Sequence, residues 1–409
     1  MRQILDFRFW KLDWRIRAKG SGVSIQNPES KIQNRGRLGV VFVALLSVSA
    51  TLAGCPTKEE EGAKPPPPPL PSEFISLDQR FIAEKMLAGA AMPVKLAFAP
   101  DGRLFFTELL TGNIRIFQGG ALVAAPFANV PPAPGSESGL LGICLSPTFA
   151  TDGFVYVQAC VPVAGGPPHK QQIIRFTAVG NTGTNPTVIV DNLPWGDVHN
   201  AGNLQFGPDG KLYCSIGDTN NSALAQTDGE KAGRILRFEA SGSPASGNPI
   251  PGDPEFCRGL RNTFDFCFQP TTGGIFGSEN GPTSNDEINY LASGKNYEWE
   301  TVPPSVPQSA IGYRMRLYAN VIAPTGICVH TGQGVPSGFA NHIFLLSYDF
   351  NEIRRLRMSG PSLADVDSEE VFAALTNTGV DNKPLDIVMA SDGSLWFSTF
   401  TAIWRIRKY

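Results

Sequence analysis

The sequence predicts an all-β protein, a six-bladed β-propeller of four-stranded antiparallel blades. Three observations lead to this fold class: a turn-rich composition, the near absence of long helical periods, and one strand pattern that recurs along the chain. The 409 residues include 43 glycines and 34 prolines, and 42% are hydrophobic, so the chain can bury a large core between short strands. A net charge of -3 gives no reason to expect nucleic acid as a partner.

Each repeat has an apolar strand, a Pro/Asp/Gly turn, a second apolar strand, a polar loop and a third strand ending in an Ile-Arg-like pair. One unit cannot bury both of its faces alone, whereas six arranged radially can. Ring closure needs a strand from the other end of the chain, and the candidate that would complete the last blade is Phe74 to Leu87. Two packed β domains are the alternative, which the even spread of the repeats disfavours. The six copies are recognised at Val94, Gly139, Gly202, the hairpin of Phe264 to Phe268 and Gly274 to Ser278, Pro324 and Pro384.

The N-terminal part of the chain has the pattern of an export signal. An apolar run from Val40 to Ala50 follows a basic flank and is too short to span a membrane comfortably. The run leads into Leu52-Ala53-Gly54-Cys55, which resembles the lipobox of bacterial lipoproteins, where the cysteine is lipidated and becomes the new N-terminus. A plain cleaved signal peptide and an uncleaved anchor are the alternatives. We therefore expect export and a lipid anchor at Cys55, on the periplasmic or extracellular face of the cell envelope.

This interpretation divides the chain into four parts. Residues 1–36 are an N-terminal extension, best explained by a start codon assigned too far upstream. Residues 37–54 are the lipoprotein signal, and residues 55–72 are the lipidated cysteine with a Pro-rich tether. Residues 73–409 form the propeller.

The other six cysteines are even in number, and export would allow them to form disulfides. We expect at most one or two bridges, because four of the six lie inside apolar strands, where cysteine serves as a small buried hydrophobe. These four are Cys144, Cys214, Cys267 and Cys328.

The loop from Glu279 to Glu287 has the composition of a cation site. Gly281 and Pro282 cannot pair regularly in a ladder, so their carbonyls are available to a ligand, and Asp286 and Glu287 add negative charge nearby. Carbonyl and carboxylate oxygens suit calcium. An acidic, solvated turn is the alternative.

Several other polar residues occupy equivalent loops of the repeats and should converge at the mouth of the channel. His199 could remove a hydroxyl proton near neutral pH, although a surface histidine without function is equally compatible with the sequence. Arg261 offers a permanent planar cation for an oxyanion or carboxylate, or it is a solvated or salt-bridged side chain. Glu137 and Asn262 lie in corresponding loops.

Five segments in this order resemble the soluble PQQ-dependent glucose/sorbosone (aldose sugar) dehydrogenase family. They are LLGICLSPTFATDGFVYV, HNAGNLQFGPDGKLYCSIGD, GRILRF, GLRNTFDF and SENGPTSNDEINYLASGKNYEW, and the resemblance covers roughly Phe74 to Tyr409. It implies a six-bladed propeller that binds pyrroloquinoline quinone (PQQ) and calcium above the channel. The implied reaction is oxidation of the C1 hydroxyl of an aldose by hydride transfer to the quinone, with a quinone or cytochrome as electron acceptor.

The resemblance also implies a role for each matching residue. His199 would be the general base, and Arg261 would polarise the quinone carbonyl and stabilise developing negative charge. Asn262 would hydrogen-bond the cofactor, and Glu137 falls where the family places a polar cofactor or substrate contact. The carbonyls of Gly281 and Pro282 would contact calcium.

The last two blades each depart from the family pattern. The family anchors the three carboxylates of PQQ with basic residues from its last two blades. Here Asp349 replaces a lysine, while Lys383 and Leu385 replace two arginines, so that Lys383 is the remaining basic cofactor-binding candidate. One or two charge-assisted bonds are lost, each worth about 1.5 to 3 kcal/mol. A catalytically weakened or inactive propeller that binds a glycan or a protein is therefore the alternative function.

Overall fold

The computed structural model describes residues 66–300, 306–376 and 379–409. The predicted extension 1–36, the signal 37–54 and the lipidation site Cys55 lie outside the described residues, as does most of the tether 55–72. None of the helices in the described part of the chain has the length and hydrophobicity needed to cross a membrane.

The described chain begins with two strands, β1 (Phe74–Leu77) and β2 (Phe81–Ala88), which join blades formed by the other end of the chain. The next three blades follow in sequence, and each is an antiparallel sheet. Blade 1 contains β3 (Pro93–Phe98), β4 (Leu104–Glu108), β5 (Asn113–Gln118), β6 (Ala121–Leu122) and β7 (Ala128–Asn129); blade 2 contains β8 (Leu140–Leu145), β9 (Phe154–Val161), β10 (Lys170–Val179) and β11 (Thr182–Leu193); blade 3 contains β12 (Leu204–Phe206), β13 (Leu212–Ile216), β14 (Arg234–Phe238) and β15 (Glu255–Arg258).

The last three blades repeat this plan, and the predicted six-bladed propeller is confirmed. Blade 4 contains β16 (Thr263–Phe268), β17 (Ile275–Glu279), β18 (Asp286–Leu291) and β19 (Tyr313–Tyr318); blade 5 contains β20 (Pro324–His330), β21 (His342–Ser347), β22 (Glu352–Ser359) and β23 (Asp365–Leu375); blade 6 contains β24 (Pro384–Met389), β25 (Leu395–Thr399) and β26 (Ala402–Lys408).

The described helices are short: an α-helix at Phe149–Asp152 and 3-10 helices at Ser222–Gln226 and Gln308–Ala310.

In blades 1 and 3, Asp-Gly turns explain why the first two strands form a hairpin. In blade 1, Asp101 Oδ1 accepts a hydrogen bond from the Arg103 backbone N–H at 3.1 Å, and Gly102 has φ +86°. In blade 3, Asp209 and Gly210 occupy the same positions, and Gly210 has φ +72°. Asp closes the turn with its own side chain, and Gly adopts the left-handed conformation that other residues avoid.

Ring closure differs in part from the prediction. Within the segment expected to complete the last blade, only β2 does so, pairing with β26 from Phe81 opposite Lys408 to Ala88 opposite Ala402. β1 instead adds a fifth strand to blade 5, beside β23. A turn at Asp78 separates the two strands, and the ring of Phe74 packs on Trp404 of blade 6 at a centroid distance of 5.2 Å. The segment thereby joins blades 5 and 6.

Apolar clusters fill the interfaces between neighbouring blades. Phe344 and Phe372 of blade 5 pack with Phe397 and Trp404 of blade 6, for example, and comparable clusters lie at the other five interfaces. All six cysteines of the described part of the chain are free and buried. The interpretation of four of them as small buried hydrophobes is confirmed, and the one or two disulfides that export would allow are not formed in this structure.

A buried ion triad crosses the channel. The ammonium of Lys95 on β3 lies 2.8 Å from Asp265 Oδ1 on β16 and 3.0 Å from Asp386 Oδ1 on β24, so it joins blade 1 to blades 4 and 6. Each of the three residues is at most 5% exposed. The other carboxylate oxygens accept backbone N–H groups, from Ile327 at 2.9 Å and Leu96 at 2.8 Å. Burial raises the pKa of Asp265, which the adjacent ammonium partly offsets.

We expect Lys95→Met to lower the free energy of unfolding by about 3 to 5 kcal/mol, because it leaves two buried carboxylates without their cation. Lys85→Met is the matched control, since Lys85 pairs with Glu73 at the surface and should cost about 1 kcal/mol or less. Chemical denaturation of both variants measures the difference. Equal effects would contradict a structural role for the triad.

Candidate active site

His199 lies in the loop before β12 and is held from two sides. Its backbone N–H donates to Glu137 Oε2 at 2.7 Å, and its ring nitrogen Nδ1 lies 2.7 Å from Asp218 Oδ1. The residue has φ +56°, a left-handed conformation that is unusual for a non-glycine residue. It is 7% exposed, and Nε2 makes no hydrogen bond to a described residue. The imidazole is therefore fixed in orientation with one nitrogen available.

Asp218 is the partner that orients His199, and the sequence prediction did not include it. It follows β13, and the residue is 2% exposed. Oδ1 also accepts the Asn220 backbone N–H at 2.8 Å, and Oδ2 accepts the indole N–H of Trp299 at 2.8 Å. Because both oxygens already act as acceptors, the contact with Nδ1 is best made by an Nδ1–H donor, which leaves Nε2 as the acceptor.

Arg261 and Asn262 lie in the turn before β16, and Glu279 at the end of β17 holds that turn. Glu279 Oε1 accepts both backbone N–H groups at 2.7 Å, and Oε2 accepts the hydroxyl of Thr263 at 2.5 Å. The Arg261 carbonyl in turn accepts the backbone N–H of Asp218 at 2.7 Å. This bond places the arginine directly beside the His199–Asp218 pair. The repeat predicted that the loops of His199 and Arg261 would lie close together.

The side chains of Arg261 and Asn262 offer a cation and a buried hydrogen-bond acceptor to a ligand. The Arg261 guanidinium donates to the Asn280 carbonyl at 3.0 Å and lies 5.7 Å from the ring centre of Trp299. Asn262 is 1% exposed, and its side-chain oxygen Oδ1 has no hydrogen-bond partner among the described residues. A buried acceptor of this kind requires a donor from another source.

The predicted cation loop follows Glu279 and Asn280. Neither the Gly281 carbonyl nor the Pro282 carbonyl accepts a hydrogen bond from a described residue, which leaves both oxygens available to a cation. The loop passes close to itself at Gly281, where a Cβ would lie 2.2 Å from the Ser284 carbonyl oxygen. Glycine is therefore required there.

The two acidic residues of this loop have structural partners instead. Asp286 accepts backbone N–H groups from Gly281, Ile322 and Ala323 at 2.7 to 2.8 Å, and Glu287 pairs with Arg314 at 2.8 Å. Burial raises the pKa of both carboxyls. Within residues 66–300, 306–376 and 379–409, no group of three His, Cys, Asp or Glu side chains could hold a metal ion. A cation in this loop would depend on backbone oxygens.

Lys383 lies before β24 and turns toward blade 5. Its ammonium donates to the Tyr348 carbonyl at 2.8 Å and to the Asp349 carbonyl at 3.3 Å, and it lies 4.9 Å from the centre of the Tyr348 ring. Leu385, at the second family arginine position, is 3% exposed. Burial raises the pKa of Tyr348, and the charges of Asp349 and Glu137 add to the effect.

Sequence reasoning missed Asp218, Glu279 and Trp299. Asp218 follows β13 and Glu279 is the last residue of β17, the second strands of their blades, and antiparallel pairing brings this end to the same edge as the loop before the first strand. An acidic residue at the end of a second strand was the available signal. Trp299 comes from the loop between β18 and β19, and no periodic feature marks it.

As a chemical unit, the site offers an oriented imidazole acceptor, a guanidinium beside it, and two unbonded carbonyl oxygens. The arrangement can remove a proton from a hydroxyl group while a cation stabilises negative charge on a neighbouring oxygen.

Comparisons with known proteins agree with this geometry. Residues 90–402 match the family model for glucose/sorbosone dehydrogenases. The quinoprotein glucose dehydrogenase B of Acinetobacter calcoaceticus is 28% identical over 59% of this chain, which spans 57% of that enzyme's length.

Two solved structures have the same fold. The first, from Thermus thermophilus and described as an oxidoreductase (glucose dehydrogenase), is 27% identical, with a TM-score of 0.68 over 80% of this chain and 99% of that one. The second is the PQQ-bound aldose sugar dehydrogenase of Streptomyces coelicolor, 24% identical, with a TM-score of 0.67 over 81% of this chain and 99% of that one. Because the family model covers most of the propeller, the chain belongs to the glucose/sorbosone dehydrogenase family.

Proposed function

We propose that the protein oxidises the C1 hydroxyl of an aldose sugar with PQQ and calcium, outside the cytoplasm. The observation that carries the proposal is the His199–Asp218 pair, with a ring-nitrogen to carboxylate distance of 2.7 Å, joined through Asp218 to Arg261. A quinone or cytochrome would then take up the electrons, and Cys55 would carry the lipid anchor.

The described residues fit the quinone and calcium on one side of the mouth. Asn262 has a buried acceptor without a partner, Arg261 presents a guanidinium, and the carbonyls of Gly281 and Pro282 are unbonded. When bound, PQQ supplies the two-electron acceptor that takes the hydride from C1 of the sugar. Arg261 and Asn262 would hold the cofactor, and the two carbonyls would hold calcium.

The chain's own residues handle the proton and the charge. Asp218 accepts the Nδ1 proton of His199 and keeps the imidazole in one tautomer, so Nε2 receives the proton from the C1 hydroxyl. As that proton leaves, Asp218 stabilises the imidazolium that forms. Glu279 fixes the backbone of Arg261, which positions the guanidinium without neutralising it.

The side of the mouth formed by blades 5 and 6 suits the three carboxylates of PQQ less well than the side that contains Arg261 and Asn262. Lys383 is the remaining basic residue of the family pattern, and its ammonium already donates to the carbonyls of Tyr348 and of the acidic residue Asp349. These residues favour a second candidate function, a propeller that binds a glycan or a protein on the same face without catalysis. PQQ affinity distinguishes the two functions.

The direct test is to incubate the purified protein with PQQ and calcium and to follow dye reduction by a panel of aldoses. The proposal expects calcium-dependent PQQ binding and sugar-dependent dye reduction. Absence of both would overturn it and leave the binding function.

His199→Gln should lower kcat by about 100-fold to 10,000-fold, because the variant lacks the base that takes the hydroxyl proton. PQQ affinity should change little. His342→Gln is the matched control, since His342 is also buried but lies at the start of β21, at the end of the strand away from Tyr348. Steady-state kinetics measure both variants, and equal losses would contradict the role of His199.

Asp349→Asn should tighten PQQ binding a few-fold by removing a repelling charge, and Asp349→Lys should tighten it by about 10-fold or more by adding a charge-assisted bond. Calorimetric titration with PQQ in calcium buffer measures the series. Unchanged affinity in both variants would show that Asp349 does not face the cofactor.

The pKa of Glu279 gives a pH dependence of stability. Burial raises this pKa from 4.5 to about 7, so the folded state holds the proton more tightly than the unfolded state does. The resulting stability is present below about pH 4.5 and is lost as the pH rises through 7, by up to about 3 kcal/mol. The cofactor-free Glu279→Gln variant should therefore gain stability relative to the wild type between pH 5 and 8. Denaturation experiments at a series of pH values measure the free energy of unfolding of both proteins. A difference between them that does not change with pH would contradict the raised pKa of Glu279.

A further inference from the structure

Trp299 contacts both halves of the candidate active site. Its indole N–H donates to Asp218 Oδ2 at 2.8 Å, and the face of its ring lies 5.7 Å from the guanidinium carbon of Arg261. No other described side chain both hydrogen-bonds the Asp218 carboxylate and packs against the Arg261 guanidinium. The residue therefore couples the proton acceptor to the cation.

The backbone of Trp299 is fixed independently of these contacts. Its N–H donates to the Gly259 carbonyl at 2.9 Å, and its carbonyl accepts the side-chain amide of Gln226 at 2.6 Å. Gln226 ends a 3-10 helix of blade 3 and makes two further bonds with Asn296, of 2.8 and 3.0 Å. The indole is thus presented from a rigid support.

The hydrogen bond to Asp218 has a chemical consequence. An indole N–H can only donate, so Oδ2 is the acceptor in this bond. Oδ1 accepts the Asn220 backbone N–H, and a carboxylate that accepts on both oxygens favours a third donor, which places the shared proton on Nδ1 of His199. Without the indole, Oδ2 would lose this hydrogen bond and the Asp218 carboxylate could rotate.

We infer that Trp299 is a positioning residue that holds His199 in the tautomer with Nε2 unprotonated and aligns Arg261 beside it. Its effect on catalysis rests on the proposed function, whereas its effect on the imidazole does not. The indole N–H fixes the orientation of the Asp218 carboxylate that binds His199, and the indole face fixes the orientation of the Arg261 guanidinium.

Two substitutions separate these contributions. Trp299→Phe keeps an aromatic face and removes the N–H donor, whereas Trp299→Gln keeps an N–H donor and removes the aromatic face. Trp396→Phe is the matched control, because its indole N–H donates to Ser394 Oγ at 3.0 Å in the buried part of blade 6.

The first readout is the tautomer of His199 in the cofactor-free protein, from the nitrogen chemical shifts of the imidazole ring, with the signals assigned by His199→Gln. We expect a single Nδ1–H tautomer in the wild type, in Trp396→Phe and in Trp299→Gln, and a mixture in Trp299→Phe. An unchanged single tautomer in folded Trp299→Phe would overturn the inference. If Trp299→Phe does not fold, the wild type still decides, because a mixed tautomer there would overturn it.

The second readout is steady-state kinetics of the cofactor-loaded enzyme. Trp299→Phe should lower kcat by about 10-fold to 100-fold with KM changed by less than about 3-fold, since proton transfer rather than sugar binding is affected. A loss confined to KM would contradict the positioning role. If the wild type oxidises no aldose while the tautomer responds as expected, the proposed function fails and the positioning role stands.

Discussion

The ammonium of Lys95 is held between carboxylates of two other blades, and this contact defines the centre of the propeller. Blades 1 and 4 face each other across the channel, and Lys95 reaches from one to the other through Asp265. The apolar clusters join only neighbouring blades, whereas the Lys95–Asp265 pair joins blades 1 and 4, which are not adjacent in the ring. The ring itself is closed by the pairing of β2 with β26, and loops that are far apart in sequence therefore meet at a single mouth.

The repeat was sufficient to predict the blades, since alternating apolar strands and Asp-Gly turns are local features. Ring closure was harder to predict, because a single turn at Asp78 decides that β1 joins blade 5 while β2 joins blade 6. His199, Arg261 and Asn262 could be placed from their equivalent loops. Trp299 could not, because its role depends on tertiary contacts with Asp218 and Arg261 that have no periodic signature.

The acidic residues of the predicted cation loop show how one composition supports two structures. Asp286 and Glu287 were expected to add charge for a cation, yet the structure uses Asp286 to fix three backbone N–H groups and Glu287 to hold Arg314. What remains for a cation is the pair of carbonyl oxygens at Gly281 and Pro282. Electrostatic attraction from these carboxylates is consequently indirect, and the geometry of the loop matters more than its net charge.

One side of the site carries the polar groups of His199, Arg261 and Asn262, and the other, formed by blades 5 and 6, carries Lys383 as its basic candidate. The central claim is that both sides belong to one cofactor pocket. A crystal structure of the protein grown with PQQ and calcium tests this claim most directly. The account predicts the quinone beside His199 and Arg261, with calcium bound by the carbonyls of Gly281 and Pro282. PQQ located away from these residues, or a calcium ion at a different loop, would contradict it.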